Sequence, residues 1–192
     1  MKAGKPRAEV PLLAWGDTRH AHRQRRLHHL RLAILGGAGL VLLAAPPIYS
    51  PPPRLVWNAS ASAPLGLYWV WPGSTAARGD MVVARVPEPW RTLAARRRYL
   101  PANVPLVKRV AATRGALVCA SGARILIDGK LAATRLGHDR ARRPLPWWQG
   151  CRRLAAGEYL LLMDAAGSFD GRYFGISRAH DLVGRARLIW RR

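Results

Sequence analysis

One uncharged apolar segment, residues 32–45, divides this chain into two parts of different character. A helix that crosses a bilayer needs about 20 apolar residues, with a range of roughly 17–25. Together with Pro46-Pro47-Ile48-Tyr49, the segment reaches the lower end of that range. We therefore expect residues 32–49 to form a single transmembrane anchor or signal-anchor, and residues 50–192 to fold as a separate domain.

The residues before this segment are polar and strongly basic. Residues 1–31 contain many arginines and little periodic apolar pattern, which indicates a basic cytoplasmic tail by the positive-inside rule. A cleaved signal peptide and a buried soluble helix are the alternatives for the apolar segment. The long tail and the prolines that follow the segment favour an uncleaved anchor. Its three glycines favour lipid over a soluble core.

The charge of the chain limits the choice of partners. The 192 residues have a formal net charge of +22, which is compatible with nucleic acid, anionic lipid or no specific partner. The excess is spread along the chain and no recognised nucleic-acid-binding motif accompanies it, so no nucleic-acid partner is expected. The histidines of the tail lack acidic or cysteine partners at ligand spacing, so neither a metal nor another cofactor is predicted.

The exported part of the chain has the pattern of a β domain. Short runs of strand formers alternate with turn residues, and Asp128-Gly129 indicates a tight turn. The predicted strands are residues 67–71, 81–86, 105–110, 117–119, 124–127, 158–163 and 182–190. Residues 88–102 are expected to be irregular with one short helix, and residues 136–153 to form a loop. The fold class is therefore mainly β, preceded by one transmembrane helix.

Two serines lie in a stretch of small residues directly after the apolar segment and its prolines. Ser60 and Ser62 are flanked by alanines, and Pro64 and Gly66 restrict the backbone that follows. Such a stretch presents a hydroxyl without crowding. Because a serine hydroxyl is a weak nucleophile until a base takes its proton, the question is which base is available.

Three residues are candidates for that base. His138 and His180 are the histidines beyond the tail, and both lie in polar loops typical of solvated residues. Lys108 lies in an apolar strand, where alternation places it on the same face as Val110. If that face is buried, desolvation lowers the ammonium pKa and the neutral amine can act as a general base. The alternative is a surface lysine on an edge strand.

A third group of polar residues lies near the C-terminus, where Ser168, Asp170 and Arg172 alternate with apolar residues. Asp170 and Arg172 are two residues apart and can form a bidentate pair that stiffens the loop. An ordinary turn with a surface ion pair is the alternative.

Four motifs in this order resemble those of the bacterial type I signal peptidases (family S26). The similarity is greater to the conjugative-transfer branch, the TraF-like pilin-maturation peptidases. The motifs are Ser60-Ala61-Ser62-Ala63-Pro64-Leu65-Gly66-Leu67-Tyr68, Arg78-Gly79-Asp80-Met81-Val82, Val107-Lys108-Arg109-Val110 and Ser168-Phe169-Asp170-Gly171-Arg172-Tyr173-Phe174-Gly175, with Leu182-Val183-Gly184 at the end.

The resemblance implies a membrane-anchored serine endopeptidase with a Ser–Lys dyad. Ser62 would be the nucleophile and Lys108 the general base. The Ser60 hydroxyl and the Ser62 amide would form the oxyanion hole, and Ser168 would orient the Lys108 amine. The implied substrate is a precursor protein or pilin, which is either hydrolysed or cyclised.

The resemblance also gives roles to the final motif. Asp170 would order the site and Arg172 would brace it, with Asp164 as a competing acidic residue. Three features depart from the family pattern: Ala63 replaces the usual methionine, Gly171 the usual serine, and Met163-Asp164-Ala165 the usual Gly-Asp-Asn. The first two departures concern the shape of the substrate pocket more than the dyad.

The implied setting is the bacterial inner membrane, with the N-terminus in the cytoplasm and the catalytic domain in the periplasm. The lipid bilayer and proteins of the conjugation apparatus are further candidate partners. In an exported domain, the pair Cys119 and Cys151 favours a disulfide. A non-catalytic, membrane-anchored assembly subunit of a conjugation or secretion channel is the rival interpretation.

Overall fold

The computed structural model describes residues 25–41 and 51–192, which fall in two separate units. In the first unit, residues 25–41 form helix α1. No helix among the described residues is both long and apolar enough to cross a bilayer. The predicted anchor continues through residues 42–49, which lie outside the described residues, as does the predicted tail up to residue 24.

The second unit is mainly β, as the alternating sequence runs predict. Its strands are β1 (Leu55–Asn58), β2 (Gly66–Pro72), β3 (Met81–Ala84), β4 (Leu106–Ala112), β5 (Leu117–Ser121), β6 (Arg124–Ile127), β7 (Lys130–Thr134), β8 (Gly150–Arg153), β9 (Glu158–Leu162), β10 (Ile176–Arg178) and β11 (Leu182–Arg191). Two short helices follow β3 and β9, namely α2 (Trp90–Arg96) and α3 (Gly171–Phe174).

The strands form two antiparallel sheets. The larger sheet has the order β1-β2-β11-β3-β4-β9-β10, and the smaller one has the order β7-β6-β5-β8. Strand β4, which carries Lys108, therefore lies between β3 and β9 in the interior of the larger sheet. Its position excludes the interpretation of Lys108 as a surface residue on an edge strand.

Three apolar clusters hold these elements together. One packs Ala63, from the loop after β1, against Tyr68 and Val107. A second joins the smaller sheet to β9, with Ile125 and Leu160 among its fully buried members. The third lies on the other face of β3 and β4. Because Ala63 belongs to the first cluster, the serine-containing loop is anchored directly on the core.

Two motif glycines are required by the close approach of β2 and β11. A Cβ atom on Gly66, whose φ is +146°, would lie 2.0 Å from the carbonyl oxygen of Trp190. A Cβ atom on Gly184 would lie 2.0 Å from the carbonyl oxygen of Trp71. Real Cβ atoms do not approach a backbone oxygen so closely, so larger residues at either position would force these strands apart.

Four strands were not apparent in the sequence. They are β1, β7, β8 and β10. Strand β8 falls within the predicted loop 136–153 and all of its side chains are exposed, so it has no apolar alternation that could reveal it. It is held by backbone pairing with β5, in which Cys119 lies opposite Cys151.

Candidate active site

The loop between β1 and β2 is held mainly by one buried side chain, that of Asn58. Its Nδ2 atom donates hydrogen bonds to the carbonyl oxygens of Ser60, Ala63 and Pro64, at 2.9, 3.1 and 3.0 Å. Its Oδ1 atom accepts a bond from the Ser60 amide at 3.2 Å. Tyr68 adds a bond from its hydroxyl to the Pro64 carbonyl at 2.9 Å. These bonds hold the serine loop in one shape.

No role for Asn58 was predicted from the sequence. An asparagine side chain that bonds to nearby backbone groups is typical of turns. The position of Asn58, directly before a loop rich in serine and alanine, was the available indication. The number of carbonyl groups it contacts depends on the folded loop and could not be read from that position.

The two serines of this loop lie side by side. Their Oγ atoms are 3.0 Å apart, and the Ser62 amide makes a long 3.4 Å bond to the Ser60 Oγ atom. Ser60 is exposed and Ser62 is half-buried. Both groups assigned to the oxyanion hole therefore lie next to the Ser62 hydroxyl, and a substrate oxygen can displace the weak bond between them.

The Lys108 amine joins this loop to the final motif. Its Nζ atom lies 2.8 Å from the Ser62 Oγ atom and 2.8 Å from the Ser168 Oγ atom. These partners are 46 and 60 residues away in the sequence. The structure thus brings the first, third and fourth motifs together at one nitrogen atom.

Burial changes the acidity of this amine. The Lys108 side chain is 3% exposed. Its pKa is lowered from 10.5 to about 8, mainly by desolvation; the charge of Asp170 opposes this lowering and the charge of Arg172 adds to it. A lysine with a pKa near 8 is neutral in an appreciable fraction at neutral pH, which ordinary lysines are not. This geometry and acidity are what proton transfer from Ser62 requires.

Asp170 and Arg172 form a buried ion pair, not the surface pair of the alternative interpretation. The Arg172 Nε atom lies 2.8 Å from the Asp170 Oδ1 atom, and the side chains are 2% and 0% exposed. The other carboxylate oxygen accepts a bond from the Met163 amide at 3.0 Å, and Arg172 bonds back to the Met163 carbonyl. Asp170 also caps α3 through the Arg172 amide.

The ion pair of Asp170 and Arg172 affects the Lys108 amine through its charges. Within the described part of the chain, no hydrogen bond joins Asp170 to Ser62 or Lys108, and its influence on the amine is electrostatic. Asp164, the competing acidic residue, is exposed and pairs with Arg109 at 3.0 Å. Of the two carboxylates, Asp170 is therefore the one whose charge reaches the Lys108 amine.

The candidate histidines lie elsewhere. His138 is exposed on the wall of the groove described below, and His180 is exposed next to Asp181. Neither is hydrogen-bonded to Ser62 in the described residues. Among the residues the structure describes, no three His, Cys, Asp or Glu side chains are grouped closely enough to hold a metal ion.

A groove of about 800 Å³ opens in front of Ser62 and Lys108. Four segments line it besides the serine loop: the start of β4, the residues that follow α2, the loop that follows β7, and the final motif with Phe169 and Tyr173. Its size suits an extended peptide that presents a backbone carbonyl to Ser62.

The two cysteines lie outside this groove. Cys119 on β5 and Cys151 on β8 are joined by a disulfide, across a sequence separation of 32 residues. The bond links the two strands at one edge of the smaller sheet.

Comparisons with known proteins match the part of the chain that contains the candidate active site. The family model for signal peptidase, peptidase S26, matches residues 27–191. A plasmid transfer protein TraF from Escherichia coli is 32% identical over 172 residues, which are 83% of this chain and 94% of that protein. A second protein of that name and organism is 32% identical over 153 residues, 74% and 84% of the two chains.

One solved structure is also similar. It is a signal peptidase I from Enterococcus faecalis V583, which is 17% identical and aligns with a TM-score of 0.35. The alignment covers 58% of this chain and 97% of that chain.

Proposed function

This chain belongs to the signal peptidase S26 family, and we propose that it is a serine endopeptidase whose catalytic dyad is Ser62 and Lys108. The observation that carries the proposal is the 2.8 Å contact between the Lys108 Nζ atom and the Ser62 Oγ atom. The lowered pKa of the amine supports it, because only the neutral form can accept the serine proton.

The reaction proceeds through an acyl-enzyme. Neutral Lys108 accepts the proton of Ser62 while the Oγ atom bonds to the scissile carbonyl carbon. The resulting oxyanion is stabilised by the Ser62 amide and the Ser60 hydroxyl, and such donors are worth about 2.7–4 kcal/mol each. The carbon–nitrogen bond breaks as the leaving amine takes the proton from Lys108. Water or a second amine then attacks the ester carbon and gives a proton to Lys108, which passes it to the Ser62 Oγ atom as the ester bond breaks.

Residues of the final motif position the base. The hydroxyl groups of Ser168 and Ser62 both contact the Lys108 amine, and the contact with Ser168 fixes the orientation of the amine. Asp170 and Arg172 order the backbone from which Ser168 projects, and their charges shift the pKa of the Lys108 amine in opposite directions.

The relatives support a role in plasmid transfer. We propose that the substrate is an exported precursor or pilin used in conjugation, because proteins named for plasmid transfer match most of this chain. The proposed setting is the bacterial inner membrane, with residues 32–49 as the anchor and residues 50–192 in the periplasm. The disulfide between Cys119 and Cys151 fits an oxidising compartment.

Cleavage of a candidate pilin precursor by the protein purified in detergent tests this function. Ser62→Ala and Lys108→Ala should each reduce the rate at least about 1,000-fold, since loss of either dyad member removes the activated nucleophile. Lys130→Ala is the matched control, because Lys130 is an exposed lysine on β7. Cleavage that persists in both dyad variants would contradict the mechanism. Absence of cleavage by the unmodified protein would favour the non-catalytic assembly subunit.

A further inference from the structure

The groove is rich in arginine. Four arginines line the groove, together with one acidic residue, Asp139. The arginines are Arg97, Arg98, Arg140 and Arg143. A concave surface lined by one sign of charge concentrates ligands of the opposite sign.

Two of these arginines form bonds to neighbouring residues of the groove wall. Arg143 pairs with Asp139 at 2.7 Å, and Arg97 donates to the carbonyl oxygen of Pro144 at 2.7 Å. Asp139 also accepts a 2.5 Å bond from the Tyr99 hydroxyl. The carboxylate is therefore saturated by these contacts, and its charge is compensated within the wall.

The other two arginines have no such partner. Neither Arg98 nor Arg140 forms a hydrogen bond through its side chain, or an ion pair, with any residue that the structure describes. Each is the chain neighbour of one member of the Tyr99–Asp139 bond. That bond ties the segment after α2 to the loop after β7, and both Arg98 and Arg140 line the same groove.

The backbone at Arg98 has a conformation in which glycine is the usual residue. Its φ is 58°, in the left-handed region, directly after the helix end. Its amide donates to the Ala95 carbonyl at 3.0 Å, and the next amide donates to the Ala94 carbonyl. Glycine is the usual residue at such a helix end because it has no Cβ penalty. The chain keeps a long cationic side chain at a position where glycine is more stable.

We propose that Arg98 and Arg140 form an anion subsite that binds a carboxylate of the peptide substrate. This inference rests on the proposed peptidase function, because it assigns the groove to a peptide. The carboxylate comes either from an acidic side chain or from the free C-terminus of the peptide. Both present the same planar group that guanidinium binds in a bidentate manner.

Binding measurements with the full-length Ser62→Ala protein in detergent test the subsite without any need for turnover. Three short alanine-rich peptides serve as probes. One carries a central glutamate and an amidated C-terminus, the second carries glutamine and an amidated C-terminus, and the third carries glutamine and a free C-terminal carboxylate. Fluorescence of Trp57, which lines the groove, provides the signal, with a Trp57→Phe variant to identify its contribution.

The glutamate peptide, the free-acid peptide or both should bind about tenfold more tightly than the neutral peptide. The one that does so identifies the source of the carboxylate. Added salt should reduce this preference by screening. Arg98→Gln and Arg140→Gln should each weaken it severalfold, and the double variant should abolish it. Arg124→Gln, which changes an exposed arginine on β6 outside the groove, should leave it intact.

Arg98→Gly gives a second test that does not depend on Arg140. It should raise the melting temperature, because glycine relieves the left-handed backbone, and should weaken carboxylate binding as Arg98→Gln does. Three outcomes would overturn the subsite: equal affinity for all three peptides, no measurable binding of any of them, or equal effects of Arg98→Gln and Arg124→Gln. Since the probes are bound and not cleaved, none of these outcomes depends on the Ser62–Lys108 dyad.

Discussion

The Ser168 Oγ atom accepts a hydrogen bond from the Lys108 Nζ atom at 2.8 Å, across 60 residues of sequence. Lys108 is thereby held between two hydroxyl groups, of which the Ser62 hydroxyl faces the groove. Ser168 is 1% exposed and is absent from the groove lining. The proposed mechanism therefore gives the two hydroxyls separate tasks, with Ser62 as the reactant and Ser168 as a fixed point for the base.

Ser168→Ala should lower kcat by about 10–100-fold with a small change in KM, since the amine loses its orientation while the groove is unchanged. Steady-state kinetics on a precursor peptide measure this split. Ser177→Ala is the matched control, because the Ser177 hydroxyl on β10 is also buried and forms no hydrogen bond within the described residues. An equal loss of activity in the two variants would contradict a positioning role for Ser168.

The pH dependence of cleavage should follow the ionisation of Lys108. Its pKa is lowered to about 8, so kcat/KM should rise about tenfold per pH unit below that value and level off above it. A pH–rate profile of the unmodified protein measures the midpoint. A profile that is flat between about pH 6 and pH 9 would show that no such base is used.

The lowered pKa of Lys108 should also make the free energy of unfolding depend on pH. Because the pKa of Lys108 is lower in the folded chain than its ordinary 10.5, protonation at neutral pH opposes folding. A lowering to about 8 corresponds to about 3 kcal/mol, which is present as a penalty below pH 8 and disappears between about pH 8 and 10.5.

Lys108→Met lacks this group and so lacks the penalty. Urea unfolding of both proteins at pH 7 and near pH 10.5 separates the effect from other titrations, which are common to the two. The stability of the unmodified protein relative to Lys108→Met should improve as the pH rises. A constant difference would contradict a buried, destabilised ammonium group.

Replacing Asn58 should damage the serine loop. Asn58→Asp substitutes a carboxylate for the amide that donates to three carbonyl oxygens, so the free energy of unfolding should fall by about 1–3 kcal/mol. Cleavage should also slow, because Ser62 loses its fixed position. Chemical denaturation and kinetics measure the two effects. Asn103→Asp is the control, since Asn103 is exposed, and similar losses in both variants would argue against the loop role.

Reduction of the disulfide should lower stability and spare the dyad. Closing a loop of 32 residues stabilises a chain by about 3–4 kcal/mol in the chain-entropy model. A reductant should therefore lower the melting temperature, while a variant with both Cys119→Ala and Cys151→Ala should not respond to it. Cleavage measured well below the lowered melting temperature should persist. An unchanged melting temperature would show that the bond contributes little.

The sequence predicted most of the larger sheet, since β3, β4, β9 and β11 have apolar alternation or continuous apolar runs that match their burial. The exposed strands β7 and β8 were missed because their side chains bury little surface, and backbone pairing alone leaves no mark in the sequence. The motif resemblance named the residues of the candidate site. The supporting contacts of Asn58 were not predicted.

The sequence by itself determined that Lys108 alternates with its neighbours along an apolar strand, and that serines and an aspartate–arginine pair occur before and after it. Only the tertiary structure decided that β4 is an interior strand, that Lys108 is buried, and that Asp170 and Arg172 form an internal ion pair. The physical reason is that alternation defines two faces of a strand without saying which is covered. Covering Lys108, and thereby lowering its pKa, depends on strands and loops that are distant in the sequence.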